Sequence, residues 1–301
     1  MRILNFGSLN LDKTYTVPHF VQPGETLSST AYAEYCGGKG LNQSVALARA
    51  GAEVWHAGKI GRDGGILTET LERSGVNTSL LRVEERLQTG HAIIQIDQSG
   101  QNCILLFGGA NQAVDSPYIH TVLERFGPGD WLLLQNEISG LPEIIALARE
   151  RGMTIVLNPS PMTENLRNCG LEHVNYFLLN ELEGAALSGV PQTDPDRICD
   201  GLLAAYPSAR VVLTLGGDGA LYADGQSRCR QPAFSVPVVD TTAAGDTFTG
   251  YFLTCVLEGQ TPAQAMETAA MAAAIAVGRP GASPSIPLRE EVEQARRTLS
   301  Q

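Results

Sequence analysis

The feature that most constrains the fold of this chain is an alternation of short apolar runs with segments of helical apolar spacing. Trp131–Gln135 and Tyr176–Leu179 are almost continuously apolar, as are strands that are buried on both faces of a sheet. The helical segment Asn42–Ala50 stops at Gly51, a preferred residue beyond a helix end. This order predicts an α/β fold with a mostly parallel sheet covered on both faces. The predicted strands are Arg2–Phe6, Glu53–Ala57, Trp131–Gln135, Thr154–Leu157, Tyr176–Leu179 and Arg210–Leu215, and the predicted helices are Asn42–Ala50, Leu67–Leu71, Leu141–Arg151, Glu181–Leu187 and Pro195–Ala205.

Two stretches break this alternation and are typical of β hairpins. Thr14–Tyr35 is rich in Thr, Tyr, Val and Ser around a Gln-Pro-Gly turn, and Thr89–Phe107 contains the alternating runs His91–Asp97 and Cys103–Phe107. Neither hairpin is large enough to fold alone. We therefore expect segments 12–36 and 89–108 to pair as a small β lid inserted into one domain that spans residues 1–301. An exposed lid sheet needs a cover for its outer face, which indicates a homodimer formed through the lid.

Composition narrows the class of partner and the location. The chain has 301 residues, of which 21 are Lys or Arg and 32 are Asp or Glu, and its formal net charge is −11. This balance argues against nucleic acid and against an anionic membrane surface, because both require a positive footprint. The six cysteines are scattered without a Cys-x-x-Cys pair, and the start of the chain lacks the apolar core of a signal peptide. We therefore expect reduced thiols, a cytoplasmic location and no membrane span.

The strongest local signal is Val238–Gly250, where a strand gives way to a loop of small residues and then to a helix with Asp246 in its first turn. Small residues let a ligand approach the backbone, and the first N–H groups of a helix are unpaired at the positive end of its dipole. Such a loop suits a phosphoryl group. Taken alone, the pattern also fits a plain helix start with a favourable acidic residue. Two Ala-rich helices, Gly245–Leu257 and Pro262–Val277, are predicted here, followed by an irregular Gly/Pro stretch over 278–285.

A second signal is the glycine turn Gly37–Gln43, which opens a helix and presents Lys39 and Asn42 as donors suited to a polyhydroxylated ligand. It is not a Walker A loop, because the Gly-Lys pairs at Lys39 and Lys59 are not followed by Ser or Thr. The chain also lacks the Gly-x-Gly-x-x-Gly fingerprint, which argues against a dehydrogenase. A purely structural glycine turn is the alternative.

Polar side chains also stand at the ends of two predicted strands. After the first strand, Asn10 and Asp12 point the same way on extended backbone and together can hold a vicinal diol. The alternative is that both bond to their own backbone in Asx turns. After a later apolar strand, Asn180 can cap the next helix, and Glu183 can face the same crevice. A capping box formed between Asn180 and Glu183 is the alternative interpretation.

Together these stretches resemble the ribokinase-like (PfkB-type) sugar kinases. The resemblance extends from Gly7 to Pro287, and its diagnostic stretches are Gly37–Gln43 and Asp240–Gly250. It implies a three-layer α/β/α sandwich with a mostly parallel central sheet and a small β lid that often dimerises. It also implies an enzyme that uses ATP, Mg²⁺ and K⁺. The residues that match the family's sugar-binding positions are Asn10, Asp12, Gly38, Lys39, Asn42, Glu137 and Asp246.

The resemblance assigns two further sets of residues, to the nucleotide and to the metals. Glu183 would help to organise hydrated Mg²⁺. The ATP side would be formed by Asn180, Glu183, Thr214, Gly216, Gly217 and Gly219. The monovalent-cation loop matches Asp240, Thr242, Ala276, Val277, Arg279, Gly281 and Ser285.

The activity implied by the resemblance is direct transfer of the γ-phosphoryl group of ATP to a primary hydroxyl of a sugar, with D-ribose as the leading substrate. Asp246 would accept the hydroxyl proton. A loose phosphoryl transition state needs little prior deprotonation, so positioning and charge neutralisation are expected to supply most of the acceleration. Lid closure would exclude water and suppress ATP hydrolysis. The anion hole would be formed by the backbone N–H groups of Ala243, Ala244, Gly245 and Asp246.

Two other functions remain open from the sequence. One is a PfkB-type kinase of another sugar or of a nucleoside, in which lid residues such as His91 and Ile93 reshape the pocket. The other is a catalytically silent sugar-binding regulator on the same fold. The intact Asp246 and its loop favour an enzyme over a regulator.

Four positions depart from the family pattern. Asp218 replaces a residue that is commonly not acidic, and Leu41 replaces an alanine in the glycine turn. Ala270 and Met271 stand where some relatives place a polar side chain against adenine. We expect these departures to affect nucleotide contacts and local packing without removing a catalytic group.

Overall fold

A computed structural model describes residues 1–299 of the chain and contains two β-sheets with helices packed around the larger one. The strands in chain order are β1 (Ile3–Phe6), β2 (Asn10–Thr16), β3 (Ala31–Gly37), β4 (Val54–Gly61), β5 (Asn77–Glu84), β6 (Gly90–Ile96), β7 (Asn102–Phe107), β8 (Trp131–Gln135), β9 (Thr154–Asn158), β10 (Tyr176–Asn180), β11 (Arg210–Thr214), β12 (Ala220–Ala223) and β13 (Arg228–Gln231). The α-helices in chain order are α1 (Lys39–Ala50), α2 (Gly65–Arg73), α3 (Ser116–Leu123), α4 (Leu141–Glu150), α5 (Glu181–Ser188), α6 (Pro195–Ala205), α7 (Ala244–Leu257), α8 (Pro262–Val277) and α9 (Arg289–Leu299).

Within residues 1–299, nine strands form the large sheet, in the order β13-β12-β11-β10-β9-β8-β1-β4-β5. All neighbours from β11 to β5 pair in parallel. β12 and β13 add an antiparallel edge. The mostly parallel sheet predicted from the apolar runs is therefore confirmed.

The two faces of this sheet carry separate apolar cores, because successive side chains of a strand point to opposite faces. Leu132 and Leu134 of β8 pack with side chains of α3, α4, α5 and α6. Leu133 packs with side chains of α1, α2, α7, α8 and α9. These layers are the expected three-layer α/β/α sandwich. No helix in the described chain is long and apolar enough to cross a bilayer.

The smaller sheet, which we call the lid, has the order β3-β2-β6-β7. The hairpins β2–β3 and β6–β7 are antiparallel, as predicted, and they join through a parallel pair, β2–β6. β2 begins at Asn10, shortly after β1 ends at Phe6, so the lid is attached beside β1, between β8 and β4 of the large sheet.

Several elements that the apolar pattern does not predict lie at sheet edges. β5 and β13 close the two ends of the large sheet, and their sequences are mostly polar because one side of an edge strand faces solvent. The predicted strand that ends at Ala57 continues as β4 to Gly61, and all of these added residues are buried.

Candidate active site

The candidate site lies at the carboxyl edge of the large sheet, where the strand order reverses. β1 lies between β4 on one side and β8 on the other, and the later strands continue away from β8. In open parallel sheets, ligands bind in the crevice above such a reversal. Asn10 and Asp12 follow β1, and Glu137 follows β8, so three predicted residues come from neighbouring strands.

Two helices begin at this crevice, and close backbone contacts hold both of them there. Gly40, in the first turn of α1, lies on the loop after β1, and a side chain there would overlap the backbone of Gly7 and Ser8. Gly250 of α7 lies against α1, where a Cβ atom would come within 2.7 Å of the carbonyl carbon of Ala46. These glycines let the amino ends of α1 and α7 converge.

Asp246 lies buried at the point of convergence. Its Oδ2 accepts a hydrogen bond from Asn42 Nδ2 at 3.1 Å. Its Oδ1 accepts one from Gln43 Nε2 at 2.8 Å. Both donors lie in the first turns of α1, so the glycine turn and the loop before α7, predicted separately, meet at this carboxylate.

Gly38 and Lys39 form the start of α1. Gly38 precedes the helix with φ 91°, a conformation that favours glycine. The Lys39 N–H donates to Glu137 Oε2 at 3.1 Å. Burial alone would lower the pKa of the Lys39 ammonium group, but the negative charges of Asp246, Glu137 and Glu183 raise it above its ordinary value. One cation is thus held among three carboxylates.

The loop before α7 has unusual backbone geometry and unpaired N–H groups. Ala243 has φ 60° and is the one non-glycine residue with positive φ among residues 1–299, a conformation that costs about 1–2 kcal/mol. The N–H groups of Ala243, Gly245 and Asp246 have no acceptor in the described chain. Ala244 differs from the prediction, because its N–H donates to the Thr241 carbonyl at 3.3 Å. We call the three free donors and their loop the anion cradle.

A cavity of about 540 Å³ opens beside the anion cradle and has the size of a nucleotide site. Ala244 and Gly245 lie in its wall, next to the turn between β11 and β12. No amide, carboxylate or basic side chain of residues 1–299 lines it, and much of its surface is apolar, as at Phe248. We call it the nucleotide cavity. The residues predicted for the ATP side that line it are Thr214, Gly216, Gly217 and Gly219.

Asn180 and Glu183 form the capping box of α5. Asn180 Oδ1 accepts from Glu183 N at 2.9 Å, and Glu183 Oε2 accepts from Asn180 N at 3.0 Å. Asn180 is the register partner of Thr214, so the box lies beside the nucleotide cavity. Glu183 Oε1 has no hydrogen-bond partner within residues 1–299. Because Mg²⁺ prefers such oxygen ligands, the capping box is compatible with the predicted metal role.

A second cavity, of about 210 Å³, lies under the lid, and Asn10, Asn111 and Glu137 line it. Asn111 Oδ1 accepts from Leu9 N at 3.0 Å, so the Asn111 nitrogen is the group that donates to Asn10 Oδ1, at 2.8 Å. This orientation leaves the Asn10 nitrogen free to donate to a ligand. Glu137 accepts from the Ser8 hydroxyl. We call this cavity the sugar pocket.

Asp12 lies on β2, on the same face as Asn10, as the extended backbone predicts. Its carboxylate lies over Gly37, where a Cβ atom would overlap it, and no donor within residues 1–299 bonds to it. Burial, and then the negative charge of Glu137, raise the pKa of Asp12 to about 7. Burial also raises the pKa of Glu137. Half-buried carboxylates with few donors suit the hydroxyl groups of a sugar.

The lid contributes Leu106 to the sugar pocket. Leu106 pairs with Ala92 and Ala92 pairs with Asp12, so these residues share one face of the lid. His91 and Ile93 are each one position out of phase and therefore lie on the opposite face. The hypothesis that His91 and Ile93 shape the pocket is wrong for this reason.

Asp240 brings the two parts of the predicted cation loop together. Its Oδ2 accepts from Gly281 N at 2.9 Å, and its Oδ1 accepts from the N–H and hydroxyl of Thr242 at 2.9 and 2.6 Å. The Val277 carbonyl accepts from Val239 N at 2.8 Å and from Asp240 N at 3.1 Å. Both lone pairs of that carbonyl are therefore used within the chain, which does not fit the predicted role of Val277 as a ligand.

The other predicted cation residues lie on the stretch after α8. Arg279 N donates to the Ala276 carbonyl at 3.0 Å, and the Arg279 guanidinium pairs with Glu291 at 2.6 Å. The Ser285 hydroxyl donates to Ala282 O at 2.7 Å. No cluster of three or more His, Cys, Asp or Glu side chains within residues 1–299 is arranged to hold a metal. The oxygens of this loop are backbone carbonyls, hydroxyls and one carboxylate, a set that suits K⁺.

The four departures from the family pattern fall in different places. Ala270 lines the nucleotide cavity, whereas Met271 is buried in the core. Leu41 is fully buried against the same core, and Asp218 is exposed outside the cavity wall. Of the four, Ala270 alone touches the candidate site.

Several of the polar residues at the site that the sequence does not point to are amides. Gln112 and Asn111 follow a Gly-Gly turn after β7, a signal similar to the glycine turn before α1. Gln43 is the last residue of the glycine turn Gly37–Gln43, which is a clear signal in the sequence. Gln135 ends an apolar strand and carries no signal, because its partner Gln43 is 92 residues away in the chain.

Comparison with known proteins identifies the family. Residues 2–289 match the model of the pfkB family of carbohydrate kinases. The chain is 36% identical over 292 residues to a ribokinase of Haemophilus influenzae, with 95% of each chain covered. A solved ribokinase of Cryptococcus neoformans in complex with ADP is similar at a TM-score of 0.85 and 35% identity, over 98% of this chain and 99% of that one. An Arabidopsis thaliana ribokinase complexed with ribose and ATP is similar at a TM-score of 0.88 and 29% identity, over 97% of each.

The chain therefore belongs to the pfkB family of carbohydrate kinases. It is an enzyme of that class, an ATP-dependent sugar kinase. Phosphoryl transfer of this kind depends on positioning of the two substrates and on electrostatic stabilisation of the transferring group.

Proposed function

We propose that this chain phosphorylates D-ribose on its primary hydroxyl, with ATP as the donor and D-ribose 5-phosphate and ADP as products. The observation that carries the proposal is the place of Asp246 between the two cavities. On one side, its neighbours Ala244 and Gly245 line the nucleotide cavity. On the other side, Asp246 accepts a hydrogen bond from Asn42, which lies in the same glycine turn as Lys39. The Lys39 N–H in turn donates to Glu137, which lines the sugar pocket. The choice of ribose is supported by the ribokinases that the chain resembles.

In the proposed reaction, the acceptor hydroxyl lies between Asp246 and the terminal phosphate of ATP. The hydroxyl oxygen forms a bond to the γ-phosphorus as the bond to the β-phosphate oxygen breaks, and Asp246 takes the hydroxyl proton. Charge on the transferring group is stabilised by the N–H groups of the anion cradle and by the positive end of α7. That helix end contributes about 0.3–2 kcal/mol, so Lys39, which is held cationic nearby, is needed as well.

Two metal ions fit residues of this site. Glu183 would hold hydrated Mg²⁺ through Oε1, the oxygen that its capping box leaves free. Mg²⁺ supplies charge neutralisation on the phosphates when it is bound. The K⁺ ion would be held by the Asp240 carboxylate and by carbonyl oxygens of the stretch after α8, with Val277 excluded because its carbonyl is fully bonded.

We also propose that two copies associate through the lid. β7 is an edge strand that pairs only with β6 in the described chain, and its residues Leu105 and Phe107 are 67% and 49% exposed. An unpaired edge that carries apolar side chains needs a cover. Sedimentation should give a dimer for the parent and a monomer for Leu105→Glu. The matched control is Leu182→Glu, which changes an exposed leucine of α5. A monomeric parent would contradict this part of the proposal.

The six cysteines are free thiols, which supports a reducing compartment, and we propose the cytoplasm.

The activity is tested by ADP release from ATP, Mg²⁺ and K⁺ with a panel of pentoses, hexoses and nucleosides. We expect D-ribose to give the highest kcat/KM in the panel. A higher kcat/KM with another sugar or with a nucleoside would contradict the choice of ribose as the substrate. Sugar binding without any sugar-dependent ADP release would instead indicate a catalytically silent regulator.

A further inference from the structure

Behind Asp246 lies a chain of buried amide side chains that touch neither of the two cavities. Gln43 Nε2 donates to Asp246 Oδ1 at 2.8 Å. Gln43 Oε1 accepts from Gln135 Nε2 at 2.6 Å, and the same nitrogen of Gln135 donates to Asn5 Oδ1 at 3.0 Å. Gln43, Gln135 and Asn5 are fully buried. We call these three residues the amide relay.

The two ends of the amide relay fix the orientation of each amide. At the far end, Asn5 Nδ2 donates to the Gly40 carbonyl at 2.7 Å, and a carbonyl can only accept. Asn5 Oδ1 is therefore the acceptor for Gln135, and Gln135 meets the oxygen of Gln43. Gln43 is left with its nitrogen directed at Asp246, whose Oδ1 accepts from it. A flipped amide at any position would place two donors or two acceptors face to face.

The relay also connects Asp246 to the large sheet. Asn5 lies on β1 and Gln135 on β8, the paired strands beside which the strand order reverses. Asn42 holds Oδ2 of Asp246 and Gln43 holds Oδ1, so the plane of the carboxylate is set from both oxygens. Because Gln43 is fully buried, bulk water cannot reach Asp246 Oδ1 to replace the hydrogen bond from Gln43.

We propose that Gln43, oriented by Gln135 and Asn5, is a positioning residue that fixes the plane of the Asp246 carboxylate toward the acceptor hydroxyl. The relay itself takes no proton and contacts neither sugar nor nucleotide. This inference rests on the proposed function, since it concerns the step in which Asp246 accepts the hydroxyl proton.

The test uses three variants of the full chain and one control. Gln43→Met and Gln135→Met fill similar space without a donor. Gln135→Glu places an acceptor where Gln43 now meets a donor, which turns the Gln43 oxygen toward Asp246. The control is Asn175→Ala, which removes a side chain that accepts from Ile155 N at 2.7 Å at the opposite edge of the sheet.

We expect kcat with ribose to fall about 10- to 100-fold in Gln43→Met, the loss typical of a misplaced catalytic group. The loss should be at least as large in Gln135→Glu and smaller in Gln135→Met. The KM for ribose and the calorimetric dissociation constant of ribose should stay within about twofold of the parent, because ground-state binding is not involved. Asn175→Ala should keep the parent kcat at a lower melting temperature.

Three results would overturn the inference: a parent-like kcat in Gln43→Met and Gln135→Glu, an equal loss in Asn175→Ala, or a loss confined to ribose affinity. Melting temperatures identify a variant that does not fold, and the comparison then rests on the two variants at position 135. A parent chain that turns over no sugar would overturn the proposed function instead, which is a distinct outcome because it needs no variant.

Discussion

The sugar pocket and the nucleotide cavity, which the proposed function places on either side of Asp246, differ in construction. The sugar pocket is about 210 Å³ and lies under the lid, whereas the nucleotide cavity is about 540 Å³ and is lined mostly by glycine, alanine, valine and phenylalanine, with three hydroxyl side chains. A site built to hydrogen-bond a ligand rejects analogues strongly, while an apolar site does so weakly. We infer that the enzyme selects its substrate in the sugar pocket and uses the nucleotide cavity mainly for space and backbone donors. The polar side chains that line the sugar pocket are Asn10, Asn111, Gln112, Asn136 and Glu137.

We expect the largest effect on kcat from a substitution of Asp246, which the proposed function places between the two cavities. Asp246→Asn should lower kcat about 10³-fold, within the range for loss of a general base, while ribose and ADP still bind in their separate cavities. The measurements are steady-state kinetics and calorimetric titration with each ligand. Asp224→Asn, a hydrogen-bonded carboxylate in the turn after β12, is the matched control and should keep the parent kcat. A parent-like kcat in Asp246→Asn would contradict the proposal that Asp246 is the general base.

The next effect tests the selectivity of the sugar pocket. Asn10 and Asp12 lie on one face of β2 and are placed to hold a vicinal diol. 2-Deoxy-D-ribose lacks the 2-hydroxyl of such a diol and would leave polar groups of the site unpaired. We expect its kcat/KM to be at least about 100-fold below that of ribose. Values within tenfold of each other would show that the pocket does not read the diol.

The nucleotide cavity should discriminate much less. No amide, carboxylate or basic side chain of the described residues lines it, and Ala270 presents only a methyl group. We expect kcat/KM for ATP and GTP to differ by less than about tenfold, and the dissociation constants of ADP and GDP to differ as little. A preference for ATP of a thousandfold would mean that backbone groups read the base and that the contrast between the two cavities is weaker than described.

The smallest effect concerns the free energy of unfolding and its dependence on the protonation of Asp12. In the folded chain Asp12 holds its proton up to about pH 7, whereas an unfolded Asp loses it near pH 4. The folded state therefore binds more protons between these values, and the free energy of unfolding falls as pH rises through this window. Asp12→Asn should remove that fall and gain about 2–4 °C over the parent between pH 5 and pH 8, the shift for about 1 kcal/mol.

Thermal melting of both proteins across that pH range checks the last prediction. Glu34→Gln, on the neighbouring strand β3 with an exposed side chain, is the control and should follow the parent. Parallel curves for Asp12→Asn and the parent would show that Asp12 is ionised in the folded chain throughout.

The sequence is most informative where local chemistry determines the structure. The apolar run Trp131–Gln135 is observed as β8 and the segment Pro195–Ala205 as α6, with the predicted bounds. The two motifs that contain Lys39 and Asp246 do lie in one site, because both open helices at the same edge of the sheet.

What depends on strand order could not be predicted in this way. Gln135 and Gln43 are partners because β1, β8 and α1 meet, which no local pattern encodes. Which face of the lid lines the sugar pocket depends on the register between its strands. A shift of one residue would turn Leu106 away from the pocket and direct its neighbours toward it. The carbonyl of Val277 is used by the chain because the segment before α7 pairs with the end of α8.

The most direct test is a crystal structure of the chain with ribose and a non-hydrolysable ATP analogue. We predict that the primary hydroxyl of ribose lies about 2.6–3.2 Å from the Asp246 carboxylate, with the terminal phosphate at the N–H groups of Gly245 and Asp246. A primary hydroxyl directed away from Asp246, or a terminal phosphate bound elsewhere, would contradict the account.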